Sequence, residues 1–169
     1  MSIDSERNFN KLIKKIAHKD EKSLKELYDA YGKLIYVTAL TKSKSSFQTD
    51  EIVNDVLFKI WRNASKLPKI KNPDGWLYTI TANCAKDKLK SEKKYVELDD
   101  LQDEYALTEI NSEDEDFYKR ISILNDTEQD IIILKIISDL TFETISKQLN
   151  KPLSTVTSTY YRALEKLKN

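Results

Sequence analysis

Apolar residues recur along this chain at steps of three and four, the spacing that gathers side chains on one face of an α-helix. Residues suited to capping a helix precede several of these runs, among them Asp20, Thr49 or Asp50, and Thr141. No segment shows the apolar–polar alternation of a half-buried strand. The pattern predicts an all-α fold, with helices over about 9–17, 20–35, 50–61, 76–94, 127–137, 142–149 and 155–168.

Composition and charge divide the chain into three parts. Glycine and proline are scarce, with 2 and 3 residues of 169, which favours helices over a turn-rich sheet. The 28 basic and 28 acidic residues cancel overall but are unevenly distributed. Residues 1–94 carry a net charge of +8, residues 95–118 carry −10 and residues 119–169 carry +2. We expect two small helical domains, 1–94 and 119–169, joined by an acidic flexible linker over 95–118 with a little helix near Tyr118.

Several function classes find no support in the residues. Cys84 is the one cysteine, so no disulfide framework can form within the chain. The first fifteen residues are polar and charged, which predicts no signal peptide, and the longest apolar run is only 131–134. No Ser/His/Asp group, paired carboxylate site, glycine-rich phosphate loop or metal-ligand spacing is visible. We expect a cytoplasmic protein with no catalytic residues, no cofactor, no metal and no membrane contact.

The segment 140–156 shows the pattern of a helix-turn-helix. Thr141 can cap a short helix, Asn150 tolerates the left-handed conformation of a sharp turn, and Ser154 can cap the next helix. A second helix placed in this way can enter the major groove of DNA, although a small three-helix bundle explains the spacing equally well. The residues expected on the outer face of that helix are Thr155, Thr157, Ser158, Tyr161, Arg162 and Lys166.

Two parts of the chain resemble the extracytoplasmic-function sigma factors of bacterial RNA polymerase. Residues 50–61, DEIVNDVLFKIW, followed by 75–87, GWLYTITANCAKD, are similar to region two of that family. Three segments resemble region four of the family: 124–135, LNDTEQDIIILK, 140–145, LTFETI, and 154–163, STVTSTYYRA. Both regions stand in the family's order between residues 20 and 168.

The resemblance implies a role without catalysis. In the family, region two grips the clamp helices of the polymerase and opens the minus-ten element, and region four sits on the polymerase flap and reads the minus-thirty-five element. The implied partners are therefore bacterial core RNA polymerase and promoter DNA, with an anti-sigma factor as a common further partner.

The predicted helix 51–62 is where the family places the polymerase contact. An acidic outer face with one exposed aromatic suits docking against a basic helix. An alternative turns the aromatic Phe58 into the core. The residues expected to bind polymerase are Glu51, Asn54, Asp55 and Phe58.

The helix that starts near Trp76 carries a second candidate surface. Promoter opening needs cations for phosphates, an aromatic for unpaired bases and an amide for a base edge. In the family, the loop before this helix, here 66–75, takes a flipped base. An alternative buries Trp76 in the core. The residues expected to contact the minus-ten DNA are Trp76, Thr79, Asn83, Lys86 and Lys90.

The candidate recognition helix departs from the family pattern at two positions. Thr157 and Thr159 stand where a lysine and an arginine are usual, whereas Arg162 is retained. The loss of two cations predicts weak autonomous binding at the minus-thirty-five element, or an A·T-rich element read through threonine and tyrosine. An additional recruiting protein could then supply upstream targeting.

Other interpretations remain open at this point. A stand-alone helix-turn-helix regulator would bind duplex operators without polymerase, and an adaptor would bind polymerase without reading DNA. The acidic linker could occupy the RNA exit path of polymerase as an RNA mimic, or serve as a solvated tether.

Overall fold

The computed structural model describes residues 3–96 and 112–169, with side-chain surroundings for 3–92 and 113–169. Within these ranges the chain is helical and has no β-strand, which confirms the all-α prediction. Most of the acidic linker, 97–111, lies outside the described residues. No helix of the described ranges is long and apolar enough to cross a membrane. The helices are α1 (Ile3–Ala17), α2 (Glu21–Ser43), α3 (Ser46–Asn63), α4 (Pro73–Val96), α5 (Ser112–Ile121), α6 (Asp126–Ile132), α7 (Phe142–Leu149) and α8 (Leu153–Lys168).

The chain forms two compact units, one built by α1 to α4 and the other by α5 to α8. In the first unit α2 is the central helix and packs against α1, α3 and α4. Its second half is buried almost all round, over Leu34–Thr41, as expected of a helix enclosed by three others. The largest side chains in this core are Phe9, Ile16, Leu27, Ile35, Ile52, Ile60 and Leu77.

Capping residues explain where α2 and α3 begin. The Asp20 side chain accepts the Lys22 N–H at 3.2 Å, so this predicted cap is confirmed. The predicted cap of α3 at Thr49 or Asp50 is wrong, because Ser45 holds that place and accepts the Gln48 N–H at 3.3 Å. Thr49 lies one turn inside the helix, buried, with its hydroxyl donating to the Ser45 carbonyl.

The second unit is built around the apolar run Ile131–Leu134. α6 continues into a π-helical turn over Ile133–Ile137, and the chain then reverses at Asp139, which has a φ of 49°. Leu140, Ile145 and Val156 close the core from the helix-turn-helix side.

α5 takes in the last residues of the predicted linker, 112–118. Three carboxylates occupy its first turn, at Glu113, Asp114 and Glu115, where the helix dipole favours negative charge. Lys119 pairs with Glu115 one turn earlier at 2.8 Å. The helix predicted near Tyr118 is therefore present, and it begins earlier than its acidic composition suggested, because these acids stabilise a helix start.

The α7–turn–α8 segment forms the predicted helix-turn-helix. Thr141 caps α7 by accepting the Thr144 N–H at 3.1 Å, and Asn150 adopts the left-handed conformation with φ 51° and ψ 49°. The predicted cap of α8 at Ser154 is wrong. The Val156 N–H bonds to the Pro152 carbonyl at 3.0 Å, so the helix begins at Leu153 and Ser154 lies within its first turn.

A buried carboxylate, Glu128, ties α6 to α8. The Asn125 side chain accepts the Glu128 N–H, and the Glu128 carboxylate accepts the Asn125 N–H at 3.0 Å, which forms a capping box. Its second oxygen accepts from Lys166 Nζ at 2.7 Å, although Glu128 is only 2% exposed. Burial raises the pKa of Glu128, but the bonds from Lys166 and Asn125 and the nearby Arg162 charge outweigh burial and leave that pKa below 4.5.

The ion pair predicts acid sensitivity of the second unit. A carboxylate whose pKa is lowered in the folded state stabilises the fold above its unfolded pKa and loses that effect as pH falls through the folded pKa. At pH 7, Glu128→Gln should therefore lower the stability by about 2 kcal/mol. Below about pH 4.5 the difference between the variant and the parent should shrink toward zero. Thermal unfolding of both full chains between pH 7 and pH 3 measures this difference.

The matched control is Glu165→Gln, which removes an exposed carboxylate that pairs with Lys168 on the same helix. Exposed pairs contribute little, so this variant should unfold with the parent at every pH. An equal loss in both variants, or a Glu128→Gln deficit that persists at pH 3, would contradict the role assigned to the buried pair.

Candidate protein and nucleic-acid interfaces

The outer face of α3 is exposed as the sequence predicted. Ile52, Val56 and Ile60 are buried against the core. Helical spacing consequently places Asn54 and Asp55 in solvent on the opposite face. Phe58 is 60% exposed, which excludes the alternative that buried its ring in the core. An exposed ring beside a carboxylate and an amide is a surface able to bind a partner through apolar and polar contacts together.

Glu51, the fourth residue of this predicted surface, is partly committed within the unit. Its carboxylate forms an ion pair with Lys88 of α4, and this contact raises the pKa of Lys88. Lys59 and Asp87 approach within 3.9 Å along the same seam. Glu51 therefore helps to join α3 to α4, and the freely exposed part of the surface is Asn54, Asp55 and Phe58.

α4 presents a separate polar stripe. Thr79, Asn83, Lys86 and Lys90 are all exposed and follow one another at steps of three and four. Leu77 and Cys84 are buried on the other side of the helix. Two ammonium groups and an amide on one face can contact phosphates and a base edge.

Trp76, at the start of this stripe, is half-buried. Its ring lies 6.0 Å from the Phe9 ring of α1 in an edge-on arrangement. The indole therefore packs between α1 and α4, and only part of it is accessible to a base.

The loop between α3 and α4 is shaped by one residue of α1. Asn10 donates its amide to the Ile70 carbonyl at 2.8 Å and accepts the Ile70 N–H at 2.9 Å. The same amide donates to Glu6, whose carboxylate approaches Lys69 at 3.4 Å. The Asn10 side chain thus satisfies both the N–H and the carbonyl of Ile70, as a neighbouring strand or helix turn would. This gives the loop a defined shape without secondary structure.

A groove of about 810 Å³ runs between α1 and residues 64–69. Apolar side chains such as Ile13 and Leu67 contribute to its lining, and cations at Arg7, Lys11 and Lys14 lie along α1. The groove thus adds positive charge next to the Asn10-anchored loop.

The outer face of α8 carries the predicted residues. Thr155, Ser158, Tyr161 and Arg162 are exposed, and Thr157 is half-buried. Val156 and Ala163 are buried on the inner side, as the helical period predicted.

Thr159 is 7% exposed, so one of the two positions without the family's cation lies on the inner side of α8. Its hydroxyl accepts a hydrogen bond from the Arg162 guanidinium at 3.4 Å. Thr159 and Arg162 line a small recess with Glu128, whose negative charge faces the guanidinium. The retained arginine is therefore drawn toward the α6 end of the unit.

Sequence reasoning missed three residues of these surfaces. Asn10 contacts a loop sixty positions away, which no local pattern reveals. Leu153 is exposed at the start of α8, and the sequence pattern misses it because Ser154 suits the position that precedes a helix. Phe47 is exposed one turn before Glu51. An aromatic residue close to the predicted polymerase-binding face was the feature of the sequence that could have indicated it.

The Asn10 contacts predict a local effect on the loop. Asn10→Ala should increase amide hydrogen exchange of residues 67–72, since Ile70 loses both partners, while the helices of the unit keep their protection. Asn10→Asp keeps an acceptor for the Ile70 N–H but no donor, so its effect should be smaller. The measurement is hydrogen exchange of the full chain, followed by mass spectrometry.

Asn8→Ala is the control, because Asn8 is exposed on the same helix. Faster exchange in the loop of the Asn8 variant, or unchanged exchange in Asn10→Ala, would show that α1 does not shape the loop through Asn10.

Known proteins of similar sequence are sigma factors. The ECF RNA polymerase sigma factor SigK of Mycobacterium bovis is 25% identical over 169 residues, which cover 94% of this chain and 90% of SigK. SigK of Mycobacterium tuberculosis matches with the same identity and coverage. SigK of Mycobacterium sp. strain KMS is 23% identical over 172 residues, with 94% and 88% covered.

Solved structures show the same fold. CnrH, solved in complex with the cytosolic domain of CnrY, superposes with a TM-score of 0.64 at 15% identity and covers 95% of each chain. The sigma factor RpoE of Bartonella quintana, solved with the anti-sigma factor NepR, also gives 0.64, at 22% identity, and covers 85% of this chain and 92% of RpoE.

Two family models match separate parts of the chain. Sigma-70 region 2 matches residues 27–95, which include the α3 and α4 surfaces, and Sigma-70 region 4 matches residues 114–167, which include the helix-turn-helix. Together they take in most of the sequence in the order that the resemblance predicted. The chain therefore belongs to the sigma-70 family of RNA polymerase sigma factors, and the SigK proteins to which it is similar are of the ECF type.

Proposed function

We propose that this chain directs promoter-specific initiation by binding bacterial core RNA polymerase through α3 and promoter DNA through α4 and α8. The observation that carries the proposal is the match of each compact unit to a different sigma region, with exposed surfaces on the matched helices. The sigma-70 family consists of initiation factors that are not enzymes, and polymerase supplies the chemistry. The chain would act in the cytoplasm with polymerase.

The α3 surface supports the polymerase contact. Phe58 offers a large apolar area at the centre of a polar patch, which is the usual composition of a binding hot spot with its rim. Asp55 adds a charge that steers a basic partner helix, and Asn54 adds hydrogen bonds.

The α4 surface supports contact with the minus-ten DNA. Lys86 and Lys90 can neutralise phosphates, and Asn83 lies between them and Thr79 with an amide able to read a base edge. The Asn10-anchored loop lies at the start of the same helix, where a flipped base would be received in a preformed pocket.

Further partners follow from the same surfaces. RpoE was solved with the anti-sigma factor NepR, and an anti-sigma factor of this chain would have to cover Asp55 and Phe58 to exclude polymerase. A recruiting protein would compensate for Thr157, since Thr159, the other position that lacks the family's cation, is buried on the inner side of α8.

A stand-alone regulator of duplex operators is the weaker alternative. Such a protein depends on cations of the recognition helix for affinity. Here the cations Arg162 and Lys166 both face the Glu128 carboxylate. α8 alone thus has few free charges for an operator.

Substitutions on α3 should weaken polymerase binding. Phe58→Ala removes the apolar centre of the surface and should raise the dissociation constant for core polymerase roughly 30-fold. Asp55→Lys reverses the steering charge and should slow association, with a larger effect at low salt. Surface plasmon resonance with immobilised core polymerase measures both constants.

The control is Glu26→Lys, which reverses an exposed acid on α2. It should bind as the parent does. If Phe58→Ala and Glu26→Lys bind with equal affinity, the polymerase contact lies elsewhere.

Substitutions on α4 should separate DNA contact from packing. Lys86→Ala and Lys90→Ala should each reduce the salt dependence of promoter binding by about one unit of slope and leave thermal stability unchanged. Trp76→Ala should instead lower the unfolding temperature, because the indole packs on Phe9. Holoenzyme binding to a promoter fragment is measured at several salt concentrations, beside thermal unfolding of each chain.

Lys25→Ala, in which an exposed lysine of α2 is removed, serves as the control and should keep the parent's slope. A slope that is unchanged by both α4 variants would place the phosphate contacts on another surface of the unit.

A further inference from the structure

The exposed stripe of α8 is apolar. Leu153, Thr157 and Tyr161 follow one another at steps of four, so they lie along one line of the helix surface. Leu153 is 43% exposed and Tyr161 is 56% exposed. A recognition helix that offers bulky apolar side chains to its ligand has a chemistry different from one that offers cations.

Two hydroxyl groups on this face donate to the helix itself. Thr157 Oγ1 donates to the Leu153 carbonyl at 2.9 Å, and Ser158 Oγ donates to the Thr155 carbonyl at 3.2 Å. The Thr157 hydroxyl proton is thus used within the helix, and the γ-methyl of Thr157 remains as an apolar group for a ligand. This adds an apolar contact between the Leu153 and Tyr161 side chains.

The Tyr161 ring is held in place by other rings. It lies 5.3 Å from Tyr160 and 6.3 Å from Phe142 of α7, and Phe142 and Tyr160 are themselves 5.2 Å apart. Lys135 places its ammonium 5.0 Å from the Phe142 ring. An aromatic side chain supported in this way loses little conformational freedom when it binds.

The cations of α8 do not serve this stripe. Lys166 bonds to Glu128 at 2.7 Å, and Lys168 pairs with Glu165. Arg162 is exposed, but its guanidinium bonds to the Thr159 hydroxyl on the inner side at 3.4 Å and faces Glu128. A bidentate contact with guanine requires an arginine or lysine, and the stripe has neither. Thymine is the base that presents a methyl group in the major groove, where an apolar side chain can contact it.

Charge complementarity favours DNA over a protein as the ligand of the stripe. Residues 142–169 contain five basic and two acidic residues, a net charge of +3, which suits a polyanion. The helix-turn-helix also presents α8 in the manner that fits a major groove.

We propose that the stripe of Leu153, Thr157 and Tyr161 reads thymine methyl groups, so that the upstream promoter element selected by this chain is specified by thymines rather than guanines. The proposal rests on the promoter-binding function proposed above and names the base chemistry of that contact. Affinity comes from the positive surroundings, and the base preference comes from apolar contact.

The test uses holoenzyme assembled from the full chain and core polymerase. Promoter fragments randomised in the minus-thirty-five region are selected for binding, and thymines of the recovered element are then replaced one at a time by deoxyuridine, which lacks the methyl. Loss of a contacted methyl should weaken binding about fourfold, the value expected for one buried methyl-sized group. Uracil outside the element should change nothing.

Variants of the stripe complete the test. Tyr161→Ala should weaken binding to the thymine element and abolish the difference between thymine and uracil at one position, whereas Tyr161→Phe should keep that difference. Leu153→Ala, exposed at the first position of the helix, should abolish the difference at another position without disturbing the ring cluster. Hydrogen exchange of α7 and α8 checks that each variant is folded.

The outcomes separate the two proposals. A chain that fails to bind core polymerase contradicts the proposed function, and the inference falls with it. Holoenzyme that forms but selects guanine-rich elements, or binds thymine and uracil equally, overturns the inference alone. Loss of transcription in Tyr161→Ala without any effect of uracil would also overturn it and would assign the stripe to a protein partner.

Discussion

A helix in a small bundle can bury only one stripe of its surface, and this constraint determines every candidate interface of the chain. In α3 the buried stripe of Ile52, Val56 and Ile60 forces Asp55 and Phe58 outward. In α8 the burial of Val156 and Ala163 leaves Tyr161 on the outside in the same way. α2 differs because α1, α3 and α4 enclose its second half, and that half accordingly has little outer surface for an interface.

That constraint also explains how much the sequence could predict. The positions of the helices and the exposed side of Asn54 and Asp55 depend on periodicity, which is local and visible, whereas the same periodicity left both sides open for Phe58. The start of α3 at Ser46 depended on which of several polar residues caps its first turn. α8 instead begins after Pro152 without a side-chain cap, so the eligible Ser154 gave a start that was too late. The Asn10 contact and the attraction of Arg162 to Glu128 depend on residues far apart in sequence, which no window of the chain contains.

Glu128 shows how one buried charge can influence a surface that it does not reach. It fixes the start of α6, bonds to Lys166 and attracts Arg162, so it stabilises the unit and withdraws positive charge from the outer face of α8. The stripe of Leu153, Thr157 and Tyr161 on that face carries no cation, although the sequence of α8 contains three. In the proposal made above, the carboxylate that stabilises the second unit therefore also contributes to the base preference of its helix-turn-helix.

The pair of hydrogen bonds between Asn10 and Ile70 has a consequence for the order of folding. The contact closes a loop of sixty residues, so most of the first unit must be synthesised before Ile70 can find its partner. α1 emerges from the ribosome early and remains without this contact until the whole of α2 and α3 has followed. Ile70 follows the end of α3 closely and precedes α4, so the loop can be fixed to α1 before the last helix of the unit has been made. The shape of this loop would thus be set by the first residues of the chain and not by the helix that the loop introduces.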